Sequence, residues 1–207
     1  DVVLNGGKLF RPSGTFTLAT NRNLTASSSG QVNLTGNYAI SNGSTFTIQS
    51  SSSLTTSSFL NVGSGSTGTL NVTGLGSTLT VGVPNDAFSS TWGNNGNGSV
   101  TLSNQATATI NSATIFLGFI FTTGSGSLNV NTGATMTARS IEIATLTAGS
   151  GTLTVNGASS AVTQSGSSTL KVGAASGSVA TLNVQSSGTF STGTGAYIDD
   201  VAACGGD

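Results

Sequence analysis

The chain has 207 residues with five Lys or Arg, six Asp or Glu and no His, which excludes Ser-His-Asp and Cys-His catalysis for want of a base. Its net charge of −1 and its 5% of charged residues supply no basic run to attract nucleic acid or an anionic membrane, while 35% apolar residues set it apart from a disordered tail. The longest apolar run, Ile115 to Phe121, is far short of the ~20 residues of a spanning helix.

From the N terminus, a short alternating strand is predicted at Thr15-Phe16-Thr17-Leu18 and recurs at Thr45-Phe46-Thr47-Ile48, Thr69-Leu70-Asn71-Val72, Ser99-Val100-Thr101-Leu102, Ser127-Leu128-Asn129-Val130, Thr152-Leu153-Thr154-Val155 and Thr181-Leu182-Asn183-Val184. A recurrence of about 28 residues marks a repeat architecture. After a Gly, Ser or Asn turn a second column follows at Leu24, Leu54, Leu79, Ala108, Met136, Val162 and Phe190. A third, looser column is read at Val32-Asn33-Leu34, Leu60-Asn61-Val62, Ile115-Phe116-Leu117, Ile141-Glu142-Ile143 and Leu170-Lys171-Val172, continuing at Ile198-Asp199.

Each strand alternates apolar residues with Thr, Asn or Ser, the two-residue period of a sheet wet on one face. Gly and Ser clusters break every period, so helices are not expected. A propeller blade needs ~40 residues, and a sandwich does not require one strand to recur in register. The predicted fold is therefore all-β, a right-handed parallel β-solenoid of about seven rungs, with residues 1–207 as one domain. One rung alone buries too little apolar surface to fold, so neighbouring rungs must stabilise one another.

Along this repeat, residues 83–98 (VPNDAFSSTWGNNGNG) depart from the pattern and are expected to form a protruding loop. Asp86, Trp92, Asn94 and Asn95 are its candidate interaction residues, with Trp92 alternatively filling the third column as core. Asp86 with Asn85, Asn94, Asn95 and Asn97 could offer oxygen ligands, but one carboxylate makes a weak calcium site; no metal or cofactor is expected. Gly63-Ser64-Gly65 and Gly124-Ser125-Gly126 are turns, since no P-loop lysine follows. Glu142, Lys171 and Asp199 should stack as a charge ladder on the third column. Asp199 and Asp200 are adjacent, so on a strand they point to opposite faces and cannot flank a glycosidic bond. No enzyme motif remains. Cys204, the single cysteine, can pair only between chains.

The segments GTLNVTGLGSTLTVG (68–82), GSVTLSNQATATIN (98–111), GSLNVNTGATMT (126–137) and GTLTVNGASSAVTQ (151–164) resemble the β-strand repeats of bacterial autotransporter passengers and related adhesins. The start, Val3-Leu4-Asn5-Gly6-Gly7-Lys8-Leu9, is similar to the repeat with a Leu-Asn-Gly-Gly turn found in that group. The resemblance implies a right-handed β-helix that is secreted and displayed on a bacterial surface or released as a fibre. It covers nearly the whole chain, although no membrane barrel is included. The opening at Asp1, with neither Met nor leader, is read as a processed piece of a longer exported protein.

Open solenoid ends expose strand edges that charge can blunt. Lys8, Arg11, Arg22 and Pro12 are placed at the first end, and Asp199 and Asp200 at the last. Their opposite signs favour head-to-tail stacking, so the chain is expected to partner itself as a filament. An adhesin binding a glycan or cell-surface protein is the alternative. A third reading comes from Thr78-x-Thr80, Thr107-x-Thr109 and Thr135-x-Thr137, an outward hydroxyl array resembling ice-binding solenoids, flanked by Asn23, Ser53 and Ala161.

Overall fold

A computed structural model describes residues 1–11, 18–119, 124–146, 148–193 and the backbone of 196–198. The chain starts with β1 (Val2–Asn5) and β2 (Lys8–Arg11), then winds a first full rung from β3 (Asn23–Ser27), β4 (Gln31–Leu34) and β5 (Tyr38–Ile40). The second rung is β6 (Ser44–Gln49), β7 (Ser53–Thr56) and β8 (Leu60–Ser64), and the third β9 (Gly68–Thr73), β10 (Thr78–Val81) and β11 (Ser90–Asn94). The fourth is β12 (Asn97–Ser103), β13 (Thr107–Ile110) and β14 (Ile115–Leu117), and the fifth β15 (Gly124–Asn131), β16 (Thr135–Ala138) and β17 (Ile141–Ile143). The last two are β18 (Gly149–Asn156), β19 (Ala161–Gln164) and β20 (Leu170–Val172), then β21 (Val179–Gln185), β22 (Thr189–Thr192) and β23 (Ala196–Ile198).

These strands stack into three parallel sheets. Sheet 1 orders β1-β3-β6-β9-β12-β15-β18-β21, sheet 2 orders β2-β4-β7-β10-β13-β16-β19-β22, and sheet 3 runs from β5 through β8, β11, β14, β17 and β20 to β23. No helix occurs among the described residues. The β-solenoid of about seven turns expected from the repeat is the fold observed.

Alternation fixes which face is buried. In β9, Leu70 and Val72 are fully enclosed while Thr69, Asn71 and Thr73 remain partly exposed. Register then puts like upon like: Leu70 lies between Phe46 and Val100, and Val72 between Ile48 and Leu102. Because inward residues of all three sheets meet on one axis, the core is a single apolar column. Gaps left by small residues are taken up by neighbours, as where Ala108 sits in register with Leu79 on one side and Met136 on the other.

The N-terminal register differs from the sequence reading. Leu24 and Asn23 belong to sheet 1 rather than the second column, and Val32-Asn33-Leu34 to sheet 2 rather than the third. The reason is a shorter coil. Val2 pairs with Leu24 and Leu24 with Phe46, steps of only 22 residues, so a period near 28 slides every early strand by one column. Phe16, the first copy expected from the repeat, lies outside the described residues.

Two kinds of corner recur. At five corners between sheets 1 and 2 the chain turns through consecutive left-handed residues: Ser28 and Ser29, Ser50 and Ser51, Asn104 and Gln105, Thr132 and Gly133, Ser186 and Ser187; after β9 and β18 the positive φ falls instead at Gly74 and Gly76 and at Gly157 and Ser159. Each turn is closed by an N–H bonding three residues back, as from Ala106 to Ser103 at 3.1 Å and from Ala134 to Asn131 at 3.1 Å. Positive φ at both central positions is the pattern of a type I′ turn. Between sheets 3 and 1 the backbones of successive rungs nearly touch. A Cβ at Gly126 would collide with the Trp92 carbonyl oxygen, and one at Gly93, whose φ is +91°, with Ser125.

Candidate functional site

The stretch 83–98 is not one loop. Ser90–Asn94 form β11 in sheet 3, and Asn97 and Gly98 open β12, leaving 83–89 as the excursion. Trp92 is 0% exposed and donates from Nε1 to the Leu60 carbonyl at 3.2 Å, so of its two readings the core one holds. Asn94 pairs with Ser64, and Asn95 occupies the sheet 3 to sheet 1 corner with φ +53°. The segment Gly93–Gly98 (GNNGNG) is thus the counterpart of Gly63–Gly68 (GSGSTG), a corner rather than part of the excursion. Asp86 stays in the excursion, apart from those asparagines in the fold.

Within the excursion Asp86 is 7% exposed. Its Oδ1 accepts the Phe88 N–H at 3.0 Å, while Oδ2 is buried without a hydrogen-bond partner. Arg139 donates from Nη1 to the carbonyls of Asp86 at 2.8 Å and Asn111 at 3.4 Å. Phe88 meets Phe59 edge-on with ring centroids 6.1 Å apart. Both Phe88 and Val83 are still more than half exposed, so a pinned excursion presents an apolar tip. Among the described residues no group of three His, Cys, Asp or Glu comes together to hold a metal.

The excursion disturbs the sheet beside it, and polar side chains repair the damage. The Leu60 N–H bonds Ser90 Oγ at 3.1 Å, which in turn bonds Ser112 Oγ at 2.9 Å. The Thr91 N–H and hydroxyl both donate to Asn61 Oδ1, at 2.9 and 2.8 Å. Further along, Gln164 Oε1 accepts the Ile141 N–H at 3.0 Å and its Nε2 donates to the Ser168 carbonyl. Ser90, Ser112 and Gln164 are each at most 1% exposed. Sequence reading missed this seam; its one signal is the serine that precedes the third column at Ser58, Ser112, Ser140 and Ser168, of which Ser112 bonds through its hydroxyl and Ser168 through its carbonyl, while the Ser58 and Ser140 hydroxyls are buried without a hydrogen-bond partner.

The charge ladder is present where it is described. Lys171 Nζ lies 2.8 Å from Glu142 Oε1, with side chains 46% and 15% exposed; Asp199 falls outside the described residues. At the first end Lys8, Arg11 and Arg22 are exposed, and Arg11 stands in register with buried Leu34. Their partners in the sequence reading, Asp199 and Asp200, and the thiol of Cys204 also lie outside the described residues.

No family model matches the chain, and no curated protein or solved structure matches it either.

Proposed function

We propose that the chain is a non-catalytic extracellular structural protein, a β-solenoid scaffold or fibre segment whose end rungs stack on further rungs, of its own copies or of a longer chain. The observation that carries this reading is the state of the end strands. Leu153 and Val155 of β18 are fully buried, yet their register partners Leu182 and Val184 in β21 are not, and Val184 is 45% exposed. At the opposite end Val2 and Leu4 hold the positions of buried Leu24 and Ala26 and are only half-buried. Each end therefore combines a cross-section of core with a strand edge lacking a partner among the described residues. A coil added in register satisfies both demands, and a head-to-tail contact that does not close on itself grows as a filament.

A non-catalytic role is supported by how the described carboxylates are engaged, Glu142 by Lys171, Asp1 by the Asn23 N–H and Asp86, through Oδ1, by the Phe88 N–H. Low charge, the Ser, Thr, Asn and Gly content, and the resemblance to passenger repeats support export to a bacterial surface. The test is sedimentation and negative-stain electron microscopy over a wide concentration range. Rods that lengthen in whole-chain steps support stacking; strictly single rods at high concentration would sink it.

A surface-displayed adhesin is the second reading, favoured by the exposed Val83 and Phe88 on the pinned excursion. Replacing residues 83–89 by a short turn should abolish glycan or protein binding if that reading holds, and leave stacking intact.

A further inference from the structure

The outer face of sheet 2 is unlike the other faces of the rod. Its strands put two side chains outward per rung, and register aligns them in two columns. One holds Ser53, Thr78, Thr107, Thr135, Ala161 and Thr189, the other Thr55, Thr80, Thr109, Thr137, Thr163 and Ser191. The second column thus carries threonine on five successive rungs, two more than the Thr-x-Thr motif alone indicates. No amide, charged or aromatic side chain interrupts either column over these six rungs. Sheet 1, built on the same rungs, mixes Asn71, Asn129 and Asn183 into its outward positions, so the threonine bias is not a property of the repeat as a whole.

Most hydroxyls of this face are also unspent. Ser191 bonds Thr163 at 3.3 Å and Thr189 donates to the Ser160 carbonyl at 3.5 Å, while Thr107, Thr109, Thr135 and Thr137 stand exposed with no such bond among the described residues. β-Branching restricts each side chain at χ1, and ladders on both sides hold each inner strand. The result is a stiff grid of methyl and hydroxyl groups repeating every ~4.8 Å along the rod and ~6.6 Å across it.

Such a grid does little for a dissolved ligand, because each hydrogen bond formed replaces one to water for a net of only ~1 kcal/mol, and a flexible partner must also be ordered. A solid lattice is already ordered, and many weak contacts then add along a matched repeat. We propose that the threonine face of sheet 2 binds ice, the rigid, neutral, hydroxyl-bonding lattice whose repeats are of this order. The columns run on at the N-terminal end through Gln31 and Lys8 and through Asn33 and Phe10, but the six rungs themselves carry no aromatic or amide side chain, which disfavours a polysaccharide crystal held by ring stacking and amide hydrogen bonds.

The test is partition into slowly grown ice, using the whole chain and an unrelated globular protein of similar mass as reference. The chain should enrich in the ice fraction, Thr109→Lys should lose that enrichment, and Thr101→Lys, on sheet 1 of the same rung, should keep it. Circular dichroism checks that both variants fold. Exclusion of the wild-type chain to the same degree as the reference overturns the proposal, as does a Thr109→Lys variant that partitions like wild type. Retention on crystalline cellulose or chitin with none on ice also overturns it and assigns the face to a polysaccharide.

Discussion

Arg139 donates from Nη1 to the backbone carbonyl of Asp86 at 2.8 Å, a bond that reaches from the end of β16 back over β13 to the excursion after β10. The longer contact to the Asn111 carbonyl lies on the way, so one guanidinium ties three successive rungs. The excursion is held from outside the rung that bears it.

Replacing Arg139 by Ala should therefore free residues 83–89 without dissolving the core. Loss of hydrogen bonds from a charged donor costs about 1.5–3 kcal/mol. Thermolysin should cut near the exposed Val83 and Phe88 faster than in the wild type while far-ultraviolet circular dichroism stays unchanged. Equal cleavage rates would show that the Phe59 contact and the bond from the Ala113 N–H to the Phe88 carbonyl suffice to restrain the segment.

Gln164→Leu removes the acceptor of the Ile141 N–H and the donor to the Ser168 carbonyl in a site 1% exposed. An orphaned buried group costs about 1–3 kcal/mol, and for a chain of this length each kcal/mol lowers Tm by roughly 2–4 °C. Urea unfolding of the two forms checks the difference. A midpoint shift within error would mean the seam is supported by solvent instead.

Gly126→Ala should be far worse than a usual glycine replacement. The new Cβ meets the Trp92 carbonyl, backbone that cannot swing aside, and overpacking typically costs 1–3 kcal/mol even where side chains can adjust. We expect loss of soluble protein on expression. Trp92→Ala should cost about 3–5 kcal/mol through the cavity it leaves.

Gln105→Gly runs in the other direction. Gln105 holds φ +65° beside Asn104 at +54°, a conformation that costs an L side chain about 1–2 kcal/mol. Glycine relieves that strain but adds about 0.5–1 kcal/mol of unfolded-state entropy. A net gain of up to about 1 kcal/mol is expected as a raised Tm in calorimetry, and a fall would imply that the Gln105 side chain contributes packing.

Lys171→Met is expected to be nearly silent. Its partner Glu142 is within 2.8 Å, but the lysine side chain is 46% exposed, and exposed pairs contribute about 0.2–1 kcal/mol. A larger loss in chemical denaturation would point to a role beyond register.

The columns were legible from Phe46 onward because identical residue patterns recur at nearly the same step, and parallel stacking needs little else. The first rungs were not, since their 22-residue coils violate the period that the later ones define. The third column was hardest. Its strands are as short as Tyr38–Ile40, too few residues for alternation to register, and in β11 Trp92 and Ser90 interrupt the aliphatic pattern. GNNGNG resembles a loop because asparagine stands where GSGSTG has Ser64, Gly65 and Thr67; the backbone, with Gly93 and Gly98 in the close approach, makes the two equivalent. The side chains of the seam left one trace, the serines ahead of the third column, but these stand at one to three residues before their strands and so form no column of fixed spacing.

The left-handed turns between sheets 1 and 2 have a consequence for how such a rod changes over generations. Each of the five such turns hands the chain on in the same geometry whatever its residues, whether Ser28 and Ser29 or Thr132 and Gly133. A duplication or excision that runs from a sheet 1 position to its register partner, such as Leu102 to Val130, rejoins seams that already match. Heritable changes in length should accordingly come in whole coils, with partial insertions confined to corners that, like residues 83–89, can carry surplus chain outside the stack.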